Sequence, residues 1–472
     1  MRRRNILILT TAAATALSIG AVLTAAGSSD APRIATGFVA HVLCSETFIA
    51  GRNPDQVLSE TTNAMPGVGL ISWGLGVDID RTRRQVTTTL FGGEPSRAAS
   101  RDGLGCTIVH DDRPMDDVLP PMEAATPPLL PDIAGAAEVD TTDPRLKLAL
   151  SQAFVEPDTP PFRHTKAVVV VKNGKLIAER YAQGYGVDTP IHGWSATKSV
   201  INALIGILVR QGKLTVDQPA PVALWQNPDD PRHAITIDHL LRHTSGLAMG
   251  SSLNASLKSV LDPVNRMKFI EPDMAGFAEA ATLETAPGQA WNYHDGNTVI
   301  LSRIVRDVAG GHAADVLRLA QRELFGPLGM HNVTLEFDAT GTPEGSSQMF
   351  ATARDWARFG LLYLDDGVIG GKRVLPQGWT RYSSSPTPNA WVGYGAGFWT
   401  NLGDSYGAGI RTSLGMPRDA FIAKGSFGKW VIIIPSERLV IVRFAVTPDR
   451  DDVEGVARLV SDVIAATRTP GS

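Results

Sequence analysis

The chain has 472 residues, of which 43% are apolar and 19% charged, with a formal net charge of −4. That composition supplies a full apolar core and excludes a mainly disordered chain, a fibrous repeat and a polytopic membrane protein. The near balance of acid and base excludes a dedicated nucleic-acid binder, and the length allows two or three domains.

The first element is a targeting segment. Arg2, Arg3 and Arg4 precede an uncharged run from Ile6 to Ala26, and small residues lead into Gly27-Ser28-Ser29-Asp30. Residues 1–29 are therefore expected to be a secretory signal, with an uncleaved membrane anchor as the alternative, since a helix of this length reaches roughly 31 Å. The expected location is outside the cytoplasm: periplasmic, secreted or membrane-anchored in a bacterium. Export bears on Cys44 and Cys106, the only cysteines. An even pair in an oxidising compartment predicts a disulfide.

Three blocks follow. Residues 30–110 hold both cysteines and short alternating stretches at 76–80 and 86–90, which predict strands in an accessory region. Residues 111–143 carry repeated Pro and Asp without periodicity and predict a linker. Residues 144–472 predict one α/β (α+β) domain. It opens with a hairpin, Ala167–Val171 and Leu176–Tyr181, around Asn173-Gly174. A helix from Ser195 to Gln211 buries Val200, Ile201, Leu204, Ile205 and Leu208. Strands return at Ala420–Ala423, Trp430–Ile434 and Leu439–Val446, before a final helix over Val453–Thr467. Strands from both ends around a helical middle predict a single sheet with a helical subdomain.

Within this domain, Ser195 and Lys198 lie three apart at a helix start, one above the other. The helix dipole and burial would push the Lys198 ammonium down, and a neutral amine can take a serine proton. Ser426 and Lys429 share the spacing but fall between strands, where it gives no one-turn geometry. Tyr293, in a polar loop before a helix expected near Thr298, can act as general acid or base beside a lysine. In Lys424-Gly425-Ser426-Phe427-Gly428-Lys429 the glycines permit close approach of a substrate to a strand edge, whose N–H could bind an oxyanion. Gly403-Asp404-Ser405-Tyr406-Gly407 matches a nucleophile elbow, but no helix is expected after it and no His follows it, so it is rejected. His239 and His243 have metal-like spacing without a third ligand and are expected to be structural. No cofactor or metal is expected.

In chain order these pieces resemble the serine β-lactamase and penicillin-binding-protein superfamily, in the branch of class C type β-lactamase-related hydrolases, esterases and 6-aminohexanoate-dimer hydrolases. The resemblance rests on Gly193-Trp194-Ser195-Ala196-Thr197-Lys198-Ser199-Val200, on Ile237 to Leu247 with its His243-Thr244-Ser245-Gly246 stretch, on Pro287-Gly288 through Asn297, on Leu324 to Met330, and on Gly425 to Arg443. It implies a β-lactamase-like antiparallel sheet flanked by helices. Ser195 would be the acylated nucleophile, Lys198 its proton acceptor and Tyr293 the partner acid/base. The Ser195 N–H and one at Lys429 would form the oxyanion hole.

Two departures bear on substrate. The family's third motif usually opens on Lys or His, where Ser426 stands here with Gly428 as its last glycine. The position two after the tyrosine, often Asn or Ser, is Asp295, and an acid there would favour a cationic or neutral substrate group. Asp295, Ser426 and Gly428 are therefore the expected substrate-binding positions. The function expected is an exported serine hydrolase acting on a small ester or amide. A β-lactamase, a DD-peptidase or a non-catalytic envelope binding protein of the same fold are the alternatives.

Overall fold

The computed structural model describes residues 30–110, 119, 127–253, 260–448 and 450–468. The targeting segment and most of 111–126 lie outside the described residues. The accessory region begins with helix α1 (Asp30–Phe48) and helix α2 (Pro54–Ala64), followed by strands β1 (Leu75–Asp80), β2 (Gln85–Leu90), β3 (Ser96–Arg101) and β4 (Gly105–Ile108). The four strands pair antiparallel in sequence order. The alternating stretches mark β1 and β2 well. Neither helix is anticipated by the sequence reading, and α1 shows why. It is buried on most of its faces, between its own sheet and the large domain, so it carries no single apolar stripe. A disulfide joins Cys44 on α1 to Cys106 on β4 across 62 residues, a closure contributing about 4 kcal/mol on the chain-entropy model.

Residues 127–143 form neither helix nor strand, yet they do not hang free. Leu130 and Ile133 are buried in the main core, and Arg354 donates to the carbonyls of Gly135 and Ala137. This part of the expected linker is a strap on the large domain.

The large domain is built on a six-stranded antiparallel sheet. Helix α3 (Pro144–Ala153) precedes strands β5 (Thr165–Lys172) and β6 (Lys175–Tyr181), joined through Asn173 and Gly174, both at positive φ as a tight hairpin turn requires. Helix α4 (Thr197–Arg210) opens the helical part, which includes α5 (Pro263–Phe269), α6 (Asp295–Ala309) and α7 (Ala353–Leu364). The chain then returns through β7 (Trp399–Thr400), β8 (Phe421–Gly425), β9 (Lys429–Ile434) and β10 (Leu439–Ala445) to helix α8 (Val453–Thr467). The sheet order is β7-β8-β9-β10-β5-β6, so the first and last segments of the domain meet where β10 pairs with β5.

Both faces of this sheet are covered. Val168, Val170, Ile432 and Ile441 pack under α3 and α8, while Val169, Val171, Val431, Ile433 and Val442 face α4 and α7. A strand buried on both faces needs apolar residues without alternation, which is how β5, β9 and β10 read in the sequence.

One local expectation fails. Residues Tyr406–Ser413 are helical despite Gly407 and Gly409. Ser405 caps this helix by accepting the Ala408 N–H, and buried Arg411 ties it to the carbonyls of Val392 and Thr400. Tertiary contacts override weak propensity here, and Ser405 serves as a cap.

Candidate active site

Ser195 sits in a single 3-10 turn, Trp194–Ala196, that feeds directly into α4. Trp194 holds a positive φ of 49°, and its carbonyl accepts the Thr197 hydroxyl at 2.7 Å. This sharp entry leaves Ser195 half-buried at the helix start, while Lys198 one turn on is 2% exposed.

The lysine's three protons all have acceptors. Lys198 Nζ donates to Asp295 Oδ1 at 2.6 Å, to the Ser346 carbonyl at 2.7 Å and to Ser195 Oγ at 3.2 Å. Burial by itself would push the Lys198 ammonium down, but Asp295 and Tyr293 outweigh it and hold this group above its ordinary value. The expectation of a neutral Lys198 is therefore corrected: a carboxylate at contact distance, invisible to a local helix argument, keeps it charged.

Tyr293 is 3% exposed, its ring centroid lies 4.9 Å from Lys198 Nζ, and its hydroxyl feels both Lys198 and Ser195. Burial raises that hydroxyl above its ordinary value, while Lys198 pulls it the other way. Its ring stacks on His243 at 4.5 Å and meets Tyr394 edge-on at 5.5 Å, with Trp291 and Trp399 close by. The His243–Leu247 stretch supports this ring. Ser245 Oγ donates to Asn297 Oδ1 at 2.6 Å, and the Asn297 amide reaches His243 Nδ1 at 3.2 Å and His294 Nε2 at 3.1 Å. Burial holds His243 and His294 below their ordinary values, so both rings are neutral at pH 7. His239 does something else: its Nδ1 accepts the Thr236 N–H at the start of helix Ile237–Leu241.

The closing hairpin departs from expectation in two ways. The strand residue beside the nucleophile is Gly425, where an added Cβ would overlap the Gly193 carbonyl and stand 3.1 Å from the Ser195 nitrogen. Lys429 lies across the β8–β9 ladder from Gly425, with its ammonium turned to the Ala445 carbonyl, so it is not the backbone position facing Ser195. Gly428 is packed away from the site. Its φ is +77°, its N–H donates to Asp451, and any side chain would collide with the Arg443 guanidinium. Ser426 is exposed, at the hairpin tip. Lys424 is paired with Asp451 and covered by the rings of Trp399 and Trp430.

Asp295 is likewise not a surface for substrate. It is 6% exposed, and its second oxygen accepts from Lys268 Nζ at 3.1 Å. Burial would raise this carboxyl, but Lys198 and Lys268 hold it well below the usual carboxylate range. Lys268, Ser346 and Ser347 carry no motif in the sequence. His243 and Ser245 stand inside a recognisable stretch, although spacing does not reveal their contacts.

Comparison with known proteins bears on the family and the fold. The chain is 26% identical over 232 residues to a 6-aminohexanoate-dimer hydrolase of Paenarthrobacter ureafaciens, covering 46% of this chain and 56% of that one. It is 29% identical over 183 residues to esterase EstB of Burkholderia gladioli, covering 35% and 45%. The chain thus spans about half the length of these two hydrolases. A solved penicillin-binding protein homologue from Caulobacter crescentus shares the fold, with a TM-score of 0.52 and 18% identity over 71% of this chain and 100% of that one. The Beta-lactamase family model matches residues 162–464, and the chain belongs to that family of serine hydrolases.

Proposed function

We propose that the protein is an exported serine hydrolase that cleaves an ester or amide bond through an acyl-enzyme on Ser195. The observation that carries this reading is Lys198 Nζ, 3.2 Å from Ser195 Oγ, with the Tyr293 ring packed 4.9 Å from the same ammonium. Because Lys198 is held as an ammonium, Tyr293 is the proton acceptor in its ionised form. Ser195 Oγ attacks the carbonyl carbon as its proton passes to the Tyr293 oxygen. The oxyanion is met by the Ser195 N–H at the head of α4 and by backbone at Gly425–Ser426. The Tyr293 proton then goes to the leaving oxygen or nitrogen as the scissile bond breaks. Water repeats the sequence on the acyl-enzyme. The reading requires no metal or cofactor.

Esters and small amides rank above β-lactams for a physical reason. Lys424 and Lys429 both turn away from the nucleophile, so the closing strand offers no ammonium to a substrate carboxylate. Around Tyr293 the packing is aromatic, formed by Trp291, Tyr394 and Trp399, which favours an uncharged group beside its hydroxyl. A panel of p-nitrophenyl esters, small amides and a chromogenic β-lactam, run with the wild type and Ser195→Ala, tests this. Turnover of esters or amides that vanishes in the variant supports the reading. A preference for the β-lactam would move the assignment to β-lactamase chemistry, and turnover surviving in the variant would end it.

A further inference from the structure

Lys268 is a buried lysine with no place in the mechanism above, and it touches the residue that sets the charge of Lys198. It is 8% exposed near the end of the short helix α5. Its ammonium donates to Asp295 Oδ2 at 3.1 Å and to Ser347 Oγ at 2.9 Å. Asp295 thus gives one oxygen to each lysine. The adjacent Ser346 supplies the carbonyl that holds Lys198, so a single loop and a single carboxylate connect the two ammonium groups.

The charge count is what matters. Lys198 and Asp295 alone would cancel, leaving nothing to favour an anion at Tyr293 or on the reacting carbonyl. With Lys268 the buried cluster carries a net +1. The other titratable groups around it add little at neutral pH. His243 and Tyr394 pack on Tyr293, His294 precedes Asp295, and His192 is near Lys268; the three imidazoles are neutral and Tyr394 stays protonated. Glu344, behind Ser346 and Ser347, has no hydrogen-bond partner among the described residues for either carboxylate oxygen and is pushed by burial up to about 7. Below that pH it leaves the +1 intact.

We propose that Lys268 is a positioning residue of the acyl-transfer site: it occupies one oxygen of Asp295 and so frees the charge of Lys198 to act on Tyr293 and Ser195. This rests on the Ser195 acyl-enzyme reading and adds to it a residue outside every recognisable motif. It also gives the accessory region a chemical consequence. Helix α5 is seated on α1, where Phe269 meets Phe38 edge-on at 5.6 Å and Arg266 pairs with Asp30. The accessory helix therefore helps hold the lysine in place.

The test is a pH profile of kcat/KM on the best ester, from pH 5.5 to 6.5 where Glu344 keeps its proton, for the wild type, Lys268→Met, Lys268→Gln and Lys268→Arg. Without Lys268 the Asp295 charge is left facing Lys198 and Tyr293, and a like charge this near raises an acid's titration by about one pH unit or more. Lys268→Met and Lys268→Gln should therefore lose about tenfold or more at every pH of this rising limb. Lys268→Arg, which keeps the charge, should keep the wild-type rate. If Lys268→Met is too unstable to purify, Lys268→Gln, which keeps a donor for Asp295 without the charge, still decides the matter. Wild-type rates in Lys268→Gln or Lys268→Met, or a loss in Lys268→Arg as large as in Lys268→Gln, overturns the proposal. Ser195→Ala run alongside separates the two levels: activity surviving there overturns the acyl-enzyme reading itself, whereas a dead Ser195→Ala with wild-type rates in Lys268→Gln overturns only the role of Lys268.

Discussion

The chain contains two Ser-x-x-Lys stretches, and they do opposite things. Ser195 and Lys198 sit on one turn at the head of α4, so the ammonium reaches the hydroxyl at 3.2 Å. Ser426 and Lys429 span the β8–β9 turn, where the serine is exposed and the lysine runs inward to the Ala445 carbonyl. Identical spacing yields one candidate nucleophile with its partner and one turn residue with a structural lysine. The difference teaches that spacing carries chemistry only through the secondary structure that converts it into distance.

Four substitutions would break or sharpen that contrast. Ser195→Ala should abolish acyl transfer, a loss on the order of 10⁶-fold where a whole catalytic unit fails. Its thermal midpoint should hardly move, because a half-buried serine at a helix head packs little. Steady-state kinetics with a melt on the same preparation check both. Tyr293→Phe keeps the stacked ring and removes the proton acceptor, so kcat should fall by about 10²–10⁴, roughly 3–5 kcal/mol in the barrier. In the wild type the Tyr293 hydroxyl is held above its ordinary value. The reactive phenolate is then scarce at neutrality, and kcat/KM should climb from pH 6 to pH 9. A flat profile, or near-normal turnover in the Phe variant, would make Tyr293 a packing residue.

The second stretch should answer in stability rather than rate. Burial pushes Lys429 down to about 7. Between that value and its ordinary 10.5 the unfolded chain binds a proton that the folded chain does not, so Lys429 makes stability rise with pH across this window. Lys429→Met should flatten that rise while leaving turnover near normal, as melts at pH 7 and pH 9 would show. The smallest effect belongs to Ser426→Ala. An exposed turn hydroxyl should change stability by less than about 0.5 kcal/mol, and a large loss of kcat would reveal a substrate contact at the hairpin tip.

How much of this was legible depended on whether the governing contact was local. The β5–β6 hairpin, α4, β9, β10 and α8 declare themselves through turn chemistry and apolar runs, and each lies within a few residues of its expected bounds. Cys44 and Cys106 were readable as a disulfide from their number and setting. The accessory helix α1 was not, because burial on most sides erases the periodicity that marks a helix. At the site, Ser195, Lys198 and Tyr293 were legible as residues, but their charges were not. The state of Lys198 is set by Asp295, 97 positions away, and that of Asp295 by Lys268 on another helix. The backbone that lies beside Ser195 is Gly425, because strand register decides which residue meets the nucleophile turn, and register is a property of the assembled sheet.

The most direct test of the central claim is covalent. The native protein is treated with a fluorophosphonate, digested, and mapped by mass spectrometry. A single adduct on Ser195, absent in Ser195→Ala and slowed in Tyr293→Phe, is the predicted result. An adduct on Ser405 or Ser426, or no adduct in protein that turns over an ester, would contradict it.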